Sequence, residues 1–335
     1  MCFAKTLSAN HNWGTMRRLV VFLLVLVAFL AGCNTSSVSP TDANRHEILP
    51  AALELTETTP VSLQSVEATS TALPTATPAP TQTPTPTRTP LPTPTATPLA
   101  CWSQPGRVDA GNLRSNLLKL PMEYSVYLPP CYDQQPDRRY PVLYMIHGMN
   151  YNNDQWDRLG ADETRDTLVA AGEVSPFIII MPRDRNWDQP EQDPFGQVLV
   201  EALIPYIDET YRTLPDREHR AIGGLSRGAG WAVHLGLSRW DLFGAIGGHS
   251  LPVFWTDTSR VRGWLADIPP ESFPRIYLDI GDKDRPSILN SVRWFENLLN
   301  EKGIPHEWYL NRGYHEEAYW ASHVESYLRW YAQDW

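Results

Sequence analysis

The stretch from His219 to Gly236 constrains the fold most strongly, because it contains a G-x-S-x-G pentapeptide. Its fixed positions are Gly224, Ser226 and Gly228, with a short apolar run before them and small and apolar residues at helical spacing after them. A serine on a tight strand-to-helix turn projects its hydroxyl, and the flanking glycines leave room for the backbone. The pattern therefore predicts a strand, a sharp turn and a helix, with Ser226 exposed as a nucleophile. The alternative is an ordinary glycine-rich loop, since the pentapeptide alone also occurs by chance.

Apolar runs and helical patterns alternate along the chain from residue 123 onward. Tyr140–Ile146 and Phe177–Met181 are nearly continuous apolar runs, which are typical of strands buried on both faces. Glu123–Leu128 alternates and then meets two prolines, which favours an early antiparallel edge strand. Further strands are predicted over 243–246, 275–280 and 306–310, and helices over 161–171, 197–211, 288–299 and 318–331. This order predicts an α/β protein with a mostly parallel central sheet and helices on both faces.

A serine nucleophile requires a base and an acid that fixes the tautomer of the base, in the chain order serine, acid, histidine for an α/β-hydrolase. His315 follows the final predicted strand in a glycine-containing loop, from which an imidazole can reach back over the sheet edge. The acid is expected just past the preceding strand, where Asp284 lies further into the turn. The predicted triad is therefore Ser226, Asp284 and His315. Other residues remain alternatives: Asp282 for the acid, and His249 and His323 for the base.

Two backbone amides are expected to bind the oxyanion that forms during acyl transfer. One belongs to Arg227, directly after the serine, at the N-terminus of the predicted helix. The other belongs to the loop after the strand that ends in His147 and Gly148, where Met149 is the favoured donor. Because both groups act through the backbone, their side chains say little about this role.

Aromatic residues are numerous, with 13 tryptophans and 14 tyrosines, and large aromatic surfaces suit sugar or aryl ligands. The candidates for a substrate-binding platform are Trp156, Trp187, Trp255 and Trp320, with Trp231 as a further member of the set. Each is individually more typical of packing, so at most two of them are expected to contact a substrate. The loops over 150–160, 183–196 and 251–272 are predicted to shape the pocket.

The charge and cysteine content exclude several classes of function. The net charge of −10 and the absence of a basic run argue against nucleic acid as a partner. No C-x-x-C motif and no metal-ligand pattern is present in the sequence, so neither a metal nor a cofactor is expected. Cys101 and Cys131 bracket the start of the predicted folded part. Such a pair can form a disulfide in an oxidising compartment, and the sequence leaves this open.

Residues 1–32 are predicted to be a secretory signal peptide. Arg17 and Arg18 precede an apolar run, Leu19–Ala31, which is too short to span a bilayer because that requires about 20 residues. The run ends in Leu30–Cys33, which resembles the lipobox of bacterial lipoproteins and implies cleavage before Cys33 and lipidation of its thiol. An uncleaved anchor or a plain signal peptide remains an alternative. A lipid-anchored, extracytoplasmic protein is therefore expected, held to a membrane or bacterial cell surface through Cys33.

Residues 33–100 are predicted to be a disordered linker. The chain's 30 prolines cluster, and Thr77–Pro98 consists almost entirely of threonine, proline and alanine. Proline removes backbone donors and favours extended geometry, so this composition cannot build a core. Residues 101–335 are then predicted to form one folded domain with a sizeable core.

Several short motifs of the predicted domain occur in combination. They are Tyr127–Pro130, Arg139–Tyr144, His147–Gly148, Gly223–Ser226, Asp241–Ala245 and Gly313–His315. Together they resemble the esterase D-like family of α/β-hydrolases, which includes S-formylglutathione hydrolases, feruloyl esterases, acetyl xylan esterases, enterochelin esterases and mycolyltransferases. The resemblance extends over about residues 113–330. It implies an α/β-hydrolase fold, a triad of Ser226, Asp284 and His315, and amide donors at Met149 and Arg227.

The chain departs from the family pattern at two places. Arg227 stands where many members carry methionine, and it is followed by Gly228 and Ala229. Glu316 and Glu317 follow the histidine, where many members have an acidic residue and then a tryptophan. The position of the acid is therefore less strongly implied than that of the serine.

The predicted function is the hydrolysis of carboxylic esters by a serine enzyme through an acyl-enzyme. The resemblance and the predicted extracytoplasmic location together imply esters on extracellular carbohydrate, such as feruloyl or acetyl groups on plant polysaccharide. Two alternatives remain: acyl transfer to a sugar or lipid by the same triad, and a non-catalytic surface module that binds glycan.

Overall fold

The computed structural model describes residues 100–335, which contain an eight-stranded sheet in the order β1-β2-β4-β3-β5-β6-β7-β8. The strands are β1 Arg107–Leu113, β2 Met122–Leu128, β3 Val142–Ile146, β4 Ile178–Pro182, β5 Arg220–Leu225, β6 Ala245–His249, β7 Arg275–Gly281 and β8 Glu307–Asn311. β2 pairs antiparallel with both β1 and β4, and all other pairings are parallel. The predicted α/β-hydrolase fold with a mostly parallel sheet is confirmed.

Helices cover the sheet. They are α1 Gln155–Arg158, α2 Ala161–Ala170, α3 Phe195–Val198, α4 Ile204–Thr210, α5 Arg227–Ser238, α6 Val261–Asp267, α7 Pro286–Lys302, α8 Glu317–Ala321 and α9 Val324–Tyr331, with short 3₁₀ turns at Ala100–Ser103 and Pro270–Ser272. The helix predicted over 197–211 is divided by a π-helical segment, Leu199–Leu203, just before Pro205. Because Pro205 has no N–H to donate to the turn before it, the regular α-helical hydrogen-bond pattern cannot continue there. The closing helix predicted over 318–331 is likewise two helices, which meet at Ser322 and His323.

The prediction that Glu123–Leu128 is an edge strand is wrong. β1 lies outside β2 and pairs with it along its whole length, from Arg107 opposite Leu128 to Leu113 opposite Met122. β1 is largely polar and exposed, so it lacks the apolar run by which the inner strands are recognised. One edge of the sheet is therefore a strand that the sequence pattern does not predict, while the other edge is β8.

The core has one apolar cluster on each face of the sheet, because successive residues of a strand point to opposite sides. In β3, Val142, Tyr144 and Ile146 belong to one cluster, while Leu143 and Met145 belong to the other. All five are at most 1% exposed, as expected for a strand covered by helices on both faces.

A disulfide joins Cys101 to Cys131, with a Cα–Cα distance of 5.1 Å. It links the segment before β1 to the turn after β2. The predicted signal peptide over 1–32, Cys33 and the linker up to Leu99 lie outside the described residues. Between residues 100 and 335, no helix is long and apolar enough to cross a membrane.

Candidate active site

The chain turns sharply at Ser226, between β5 and α5. Ser226 has φ 52° and ψ −123°, which is unusual for a residue other than glycine, and its N–H donates to the His249 carbonyl at 2.8 Å. A Cβ at Gly224 would lie 2.3 Å from the Gly228 carbonyl carbon, and one at Gly228 would lie 2.1 Å from the Ile146 carbonyl oxygen. Only glycine fits either position, because the colliding atoms are backbone. The predicted strand, turn and helix are present. The turn contacts the ends of the neighbouring strands, β3 at Ile146 and β6 at His249.

The structure brings the three side chains of the predicted triad into one hydrogen-bonded line. The Ser226 Oγ lies 2.9 Å from the His315 Nε2. On the other side of the ring, Nδ1 lies 2.9 Å from the carboxylate of Asp284. The three residues come from the β5–α5 turn, the turn after β7 and the loop after β8, which meet at the carboxyl edge of the sheet.

The alternative acid and bases have other partners. The exposed Asp282 accepts a hydrogen bond from the Gly313 amide at 3.1 Å, so it supports the loop that carries His315 without contacting the imidazole. His249 is fully buried and pairs with Asp279 at 2.7 Å. His323 lies at the junction of α8 and α9, where Nδ1 is 2.8 Å from the Tyr319 carbonyl oxygen.

The Asp284–His315 pair is largely shielded from solvent. The Asp284 side chain is fully buried, and it also accepts a hydrogen bond from the Arg285 amide at 2.6 Å. Trp320 and the His315 ring pack edge to face with their centroids 5.0 Å apart, and the Trp320 Nε1 donates to the Ser250 Oγ at 3.1 Å. Low exposure strengthens the hydrogen bond between acid and base, because little water competes for it.

The two predicted oxyanion donors flank the serine. A Cβ at Gly148 would lie 3.6 Å from the Ser226 Cβ, so the loop after β3 approaches the turn closely. Arg227 is the first residue of α5, where a backbone N–H has no partner within its own helix. Among the hydrogen bonds of residues 100–335, neither the Met149 amide nor the Arg227 amide has an acceptor. Both amides are therefore free to bind a substrate oxygen.

The Arg227 side chain turns away from the cavity into a buried ion-pair cluster. Its Nε lies 2.6 Å from one oxygen of Asp184, and its Nη2 lies 2.8 Å from one oxygen of Asp193. All three side chains are at most 5% exposed. Burial, and then the charge of Asp184, raise the pKa of Asp193. The arginine thus attaches the 183–196 loop to the helix that follows Ser226.

A cavity of about 460 Å³ opens over the Ser226 and His315 side chains. Its other walls include Tyr151, Arg285, Glu316 and Trp320, as well as Met149. Aromatic, apolar and charged groups therefore surround the Ser226 hydroxyl. Tyr151 and Arg285 belong to no sequence motif, so the sequence gives no signal for either residue.

The predicted aromatic platform is only partly supported. Trp320 lines the cavity, but it is 3% exposed. Trp156 is 1% exposed and donates its Nε1 hydrogen to the Ile146 carbonyl at 3.1 Å. Its indole ring is therefore not accessible to a ligand. Trp231 is also 1% exposed and bonds to Asp184. Trp187 and Trp255 are 64% and 70% exposed, but neither lines the cavity.

Comparison with known proteins agrees with the class that this fold defines, the α/β-hydrolases. Residues 115–333 match the model of the family described as Putative esterase. An endo-1,4-beta-xylanase/feruloyl esterase of Xylanibacter ruminicola is 30% identical over 213 residues, covering 60% of this chain and 28% of that protein. An esterase of Mycobacterium tuberculosis is 28% identical and covers 55% of this chain and 50% of that protein. The chain thus spans half or less of the length of these curated relatives.

Among solved structures, a ferulic acid esterase is 26% identical with a TM-score of 0.61, and the match covers 68% of this chain and 98% of that one. The chain belongs to the Putative esterase family. Family and fold together make the described domain a carboxylic ester hydrolase.

Proposed function

We propose that the protein is a serine carboxylesterase in which Ser226 is the nucleophile, His315 the general base and Asp284 the orienting acid. The observation that carries this proposal is the unbroken hydrogen-bonded line from the Asp284 carboxylate through the imidazole to the Ser226 hydroxyl, with both distances at 2.9 Å. A hydroxyl is a weak nucleophile, and an imidazole at this distance can take its proton as it attacks.

The reaction proceeds in two halves. The Ser226 Oγ attacks the ester carbonyl carbon, His315 Nε2 accepts the hydroxyl proton, and the Met149 and Arg227 amides bind the oxyanion. Collapse of this intermediate breaks the bond to the alcohol, which leaves with the proton from His315. Water then gives a proton to the imidazole and attacks the acyl-enzyme, and a second collapse releases the acid and restores the serine. Asp284 holds the proton of Nδ1, so that Nε2 faces the serine as an acceptor.

We further propose that the substrates are feruloyl or acetyl esters on extracellular carbohydrate. Support comes from the feruloyl esterase named among the relatives and from the ferulic acid esterase among the solved structures. The aromatic walls of the cavity suit an aryl acyl group, and the exposed Trp187 and Trp255 offer surface for sugar rings outside it. A panel of feruloyl, acetyl and short-chain acyl esters tests the choice of acyl group.

We also propose that residues 1–32 direct export, that Cys33 carries the lipid anchor and that residues 33–100 tether the catalytic domain over 101–335 to the membrane. The basic residues and the apolar run before Cys33, and the proline-rich composition after it, support this arrangement. A Cys33→Ala protein is expected to leave the membrane fraction. Retention of that variant at wild-type level would contradict lipid anchoring at Cys33.

Hydrolysis of p-nitrophenyl acetate by Ser226→Ala tests the proposed nucleophile. We expect loss of activity and of labelling by a fluorophosphonate probe. Ser238→Ala, at the other end of α5, is the matched control and should keep both. Activity that survives in Ser226→Ala would refute the proposal. Failure of the wild-type protein to react with the probe would favour a non-catalytic glycan-binding module. Transfer of the acyl group to an added sugar, in place of its release to water, would favour an acyltransferase.

A further inference from the structure

The buried His147, at the end of β3, has both ring nitrogens in hydrogen bonds. Its Nε2 lies 3.0 Å from the Asp184 amide nitrogen, and its Nδ1 lies 2.7 Å from the Gly148 carbonyl oxygen. An amide N–H can only donate, so Nε2 must be the unprotonated nitrogen. The proton therefore lies on Nδ1, which donates to the Gly148 carbonyl. The surroundings of the ring fix a single tautomer.

That carbonyl belongs to the same peptide group as the Met149 amide. In a trans peptide the C=O and N–H bonds point in opposite directions, and the described residues contain no cis peptide. The Gly148 oxygen is held by His147 and by the Tyr151 amide at 3.2 Å. Holding the oxygen on that side directs the Met149 N–H to the opposite side. The imidazole thereby sets the direction of a proposed oxyanion donor without touching the substrate.

Asp184 connects this histidine to the other donor. Its backbone amide donates to His147, while its carboxylate accepts from Arg227 at 2.6 Å and from the Trp231 indole at 2.9 Å. The remaining oxygen accepts from the Asn186 amide at 3.0 Å. Arg227 supplies the second proposed oxyanion amide from its own backbone. A continuous path of hydrogen bonds therefore runs from the Arg227 side chain through Asp184 and His147 to the Gly148–Met149 peptide.

We propose that His147, Asp184 and the Arg227 side chain are positioning residues that orient the two oxyanion-binding amides as one unit. This inference rests on the proposed serine mechanism. It also explains the departure from the family pattern at 227: the arginine joins the nucleophile turn to the loop that orients the opposite donor.

The charges around His147 favour its neutral form. Burial lowers its pKa to about 4, and the nearby Arg183 and Arg227 act in the same direction, while the Gly148 carbonyl and Asp154 oppose it. Protonation of Nε2 would place a hydrogen against the Asp184 N–H and break the path. The path is therefore intact near neutral pH.

Two substitutions separate the functions of the two ring nitrogens. In His147→Asn the side-chain amide stands near the place of Nδ1 and can still donate to the Gly148 carbonyl. In His147→Gln the amide oxygen stands near the place of Nε2 and can accept from Asp184, but the donor to Gly148 is lost. Both variants remove a buried ring, so each is a matched control for the destabilisation in the other. Thermal unfolding of both proteins checks that they fold.

We expect kcat for p-nitrophenyl acetate to fall about a hundredfold in His147→Gln, with KM little changed. This is about the loss in kcat that follows removal of one oxyanion donor from an active site. His147→Asn should lose less than about tenfold in kcat. Adding Arg227→Met should reduce kcat less in the Gln background than in wild type, because the path is already broken. Equal kcat values for the Asn and Gln variants, or a higher value for Gln, would overturn the proposal.

The wild-type protein provides a test that requires no variant. Nitrogen NMR of labelled histidine should show His147 protonated at Nδ1 and not at Nε2 at neutral pH. The opposite tautomer would overturn the proposal. Ser226→Ala, measured alongside, separates the two claims. If this variant retains activity, the serine mechanism is wrong. If it is inactive and the two His147 variants have equal kcat, only the positioning role is wrong.

Discussion

Replacing Asp284 by Asn should inactivate the enzyme by reversing the tautomer of His315. The Arg285 amide donates to the Oδ1 of Asp284 at 2.6 Å, so the oxygen of an asparagine would have to occupy that place. Its NH₂ group would then take the place of Oδ2, which, like Oδ1, is 2.9 Å from the His315 Nδ1. An N–H of this amide would face the Nδ1 hydrogen at that distance, which favours moving the ring proton to Nε2, the nitrogen that accepts from Ser226 in the proposed mechanism.

The expected loss in kcat is about 10⁴-fold, the size seen when a triad acid becomes an amide and the wrong tautomer results. At about 1.36 kcal/mol per tenfold, this raises the barrier by about 5 kcal/mol. Asp282→Asn is the matched control in the same turn, because its amide oxygen can still accept from the Gly313 amide and only an exposed charge is lost. We expect that variant to keep kcat within about tenfold of wild type.

The assay is steady-state hydrolysis of p-nitrophenyl acetate over a range of substrate concentrations, with urea unfolding of each variant to establish that it is folded. An Asp284→Asn enzyme within tenfold of wild type would refute the assignment of the acid. An equal loss in both variants would refute the distinction between the two carboxylates.

The other predictions concern stability. Replacing Cys101 and Cys131 by serine should lower the free energy of unfolding by about 3.6 kcal/mol, the chain-entropy value for a sequence separation of 30 residues, and a urea titration showing less than about 1 kcal/mol would contradict it. Because the pKa of His147 is about 4 in the fold and its ordinary value is 6.5, the unfolded chain binds the proton first as pH falls. Stability should therefore decrease between about pH 6.5 and 4 by up to about 3 kcal/mol, and His147→Asn should show a shallower decrease in the same titration. Gly228→Ala should fail to fold or lose activity, since its Cβ would lie 2.1 Å from the Ile146 carbonyl oxygen; a folded, fully active variant would show that the turn can relax.

The sequence indicates the serine and the histidine of the proposed triad through local patterns. Glycines flank Ser226 and His315 follows the last strand, so short-range spacing points to two side chains that lie 2.9 Å apart in the fold. The choice of Asp284 over Asp282 is weaker in the sequence, because both lie in one turn. The fold distinguishes them, since Asp284 is buried against His315 and Asp282 is exposed. The parallel strands are recognised by their continuous apolar runs.

The missed features depend on contacts between distant parts of the chain. Asp184 and Arg227 are 43 residues apart, and no local pattern indicates that they pair. Trp156 resembles a ligand platform in the sequence, but its burial depends on how α1 packs against β3. β1 consists of mostly polar residues, and its place in the sheet follows from its pairing with β2.

The Cys101–Cys131 bond has a mechanical consequence for a domain pulled from its N-terminal side. Load entering at Cys101 divides between the backbone leading to β1 and the covalent link to Cys131, just beyond the end of β2. Without that link, the pull would open the β1–β2 ladder one hydrogen bond after another, starting where Arg107 faces Leu128. With the disulfide, the force passes through Cys131 to the end of β2, which is an inner strand. A pull on the domain would therefore not separate β1 from the sheet.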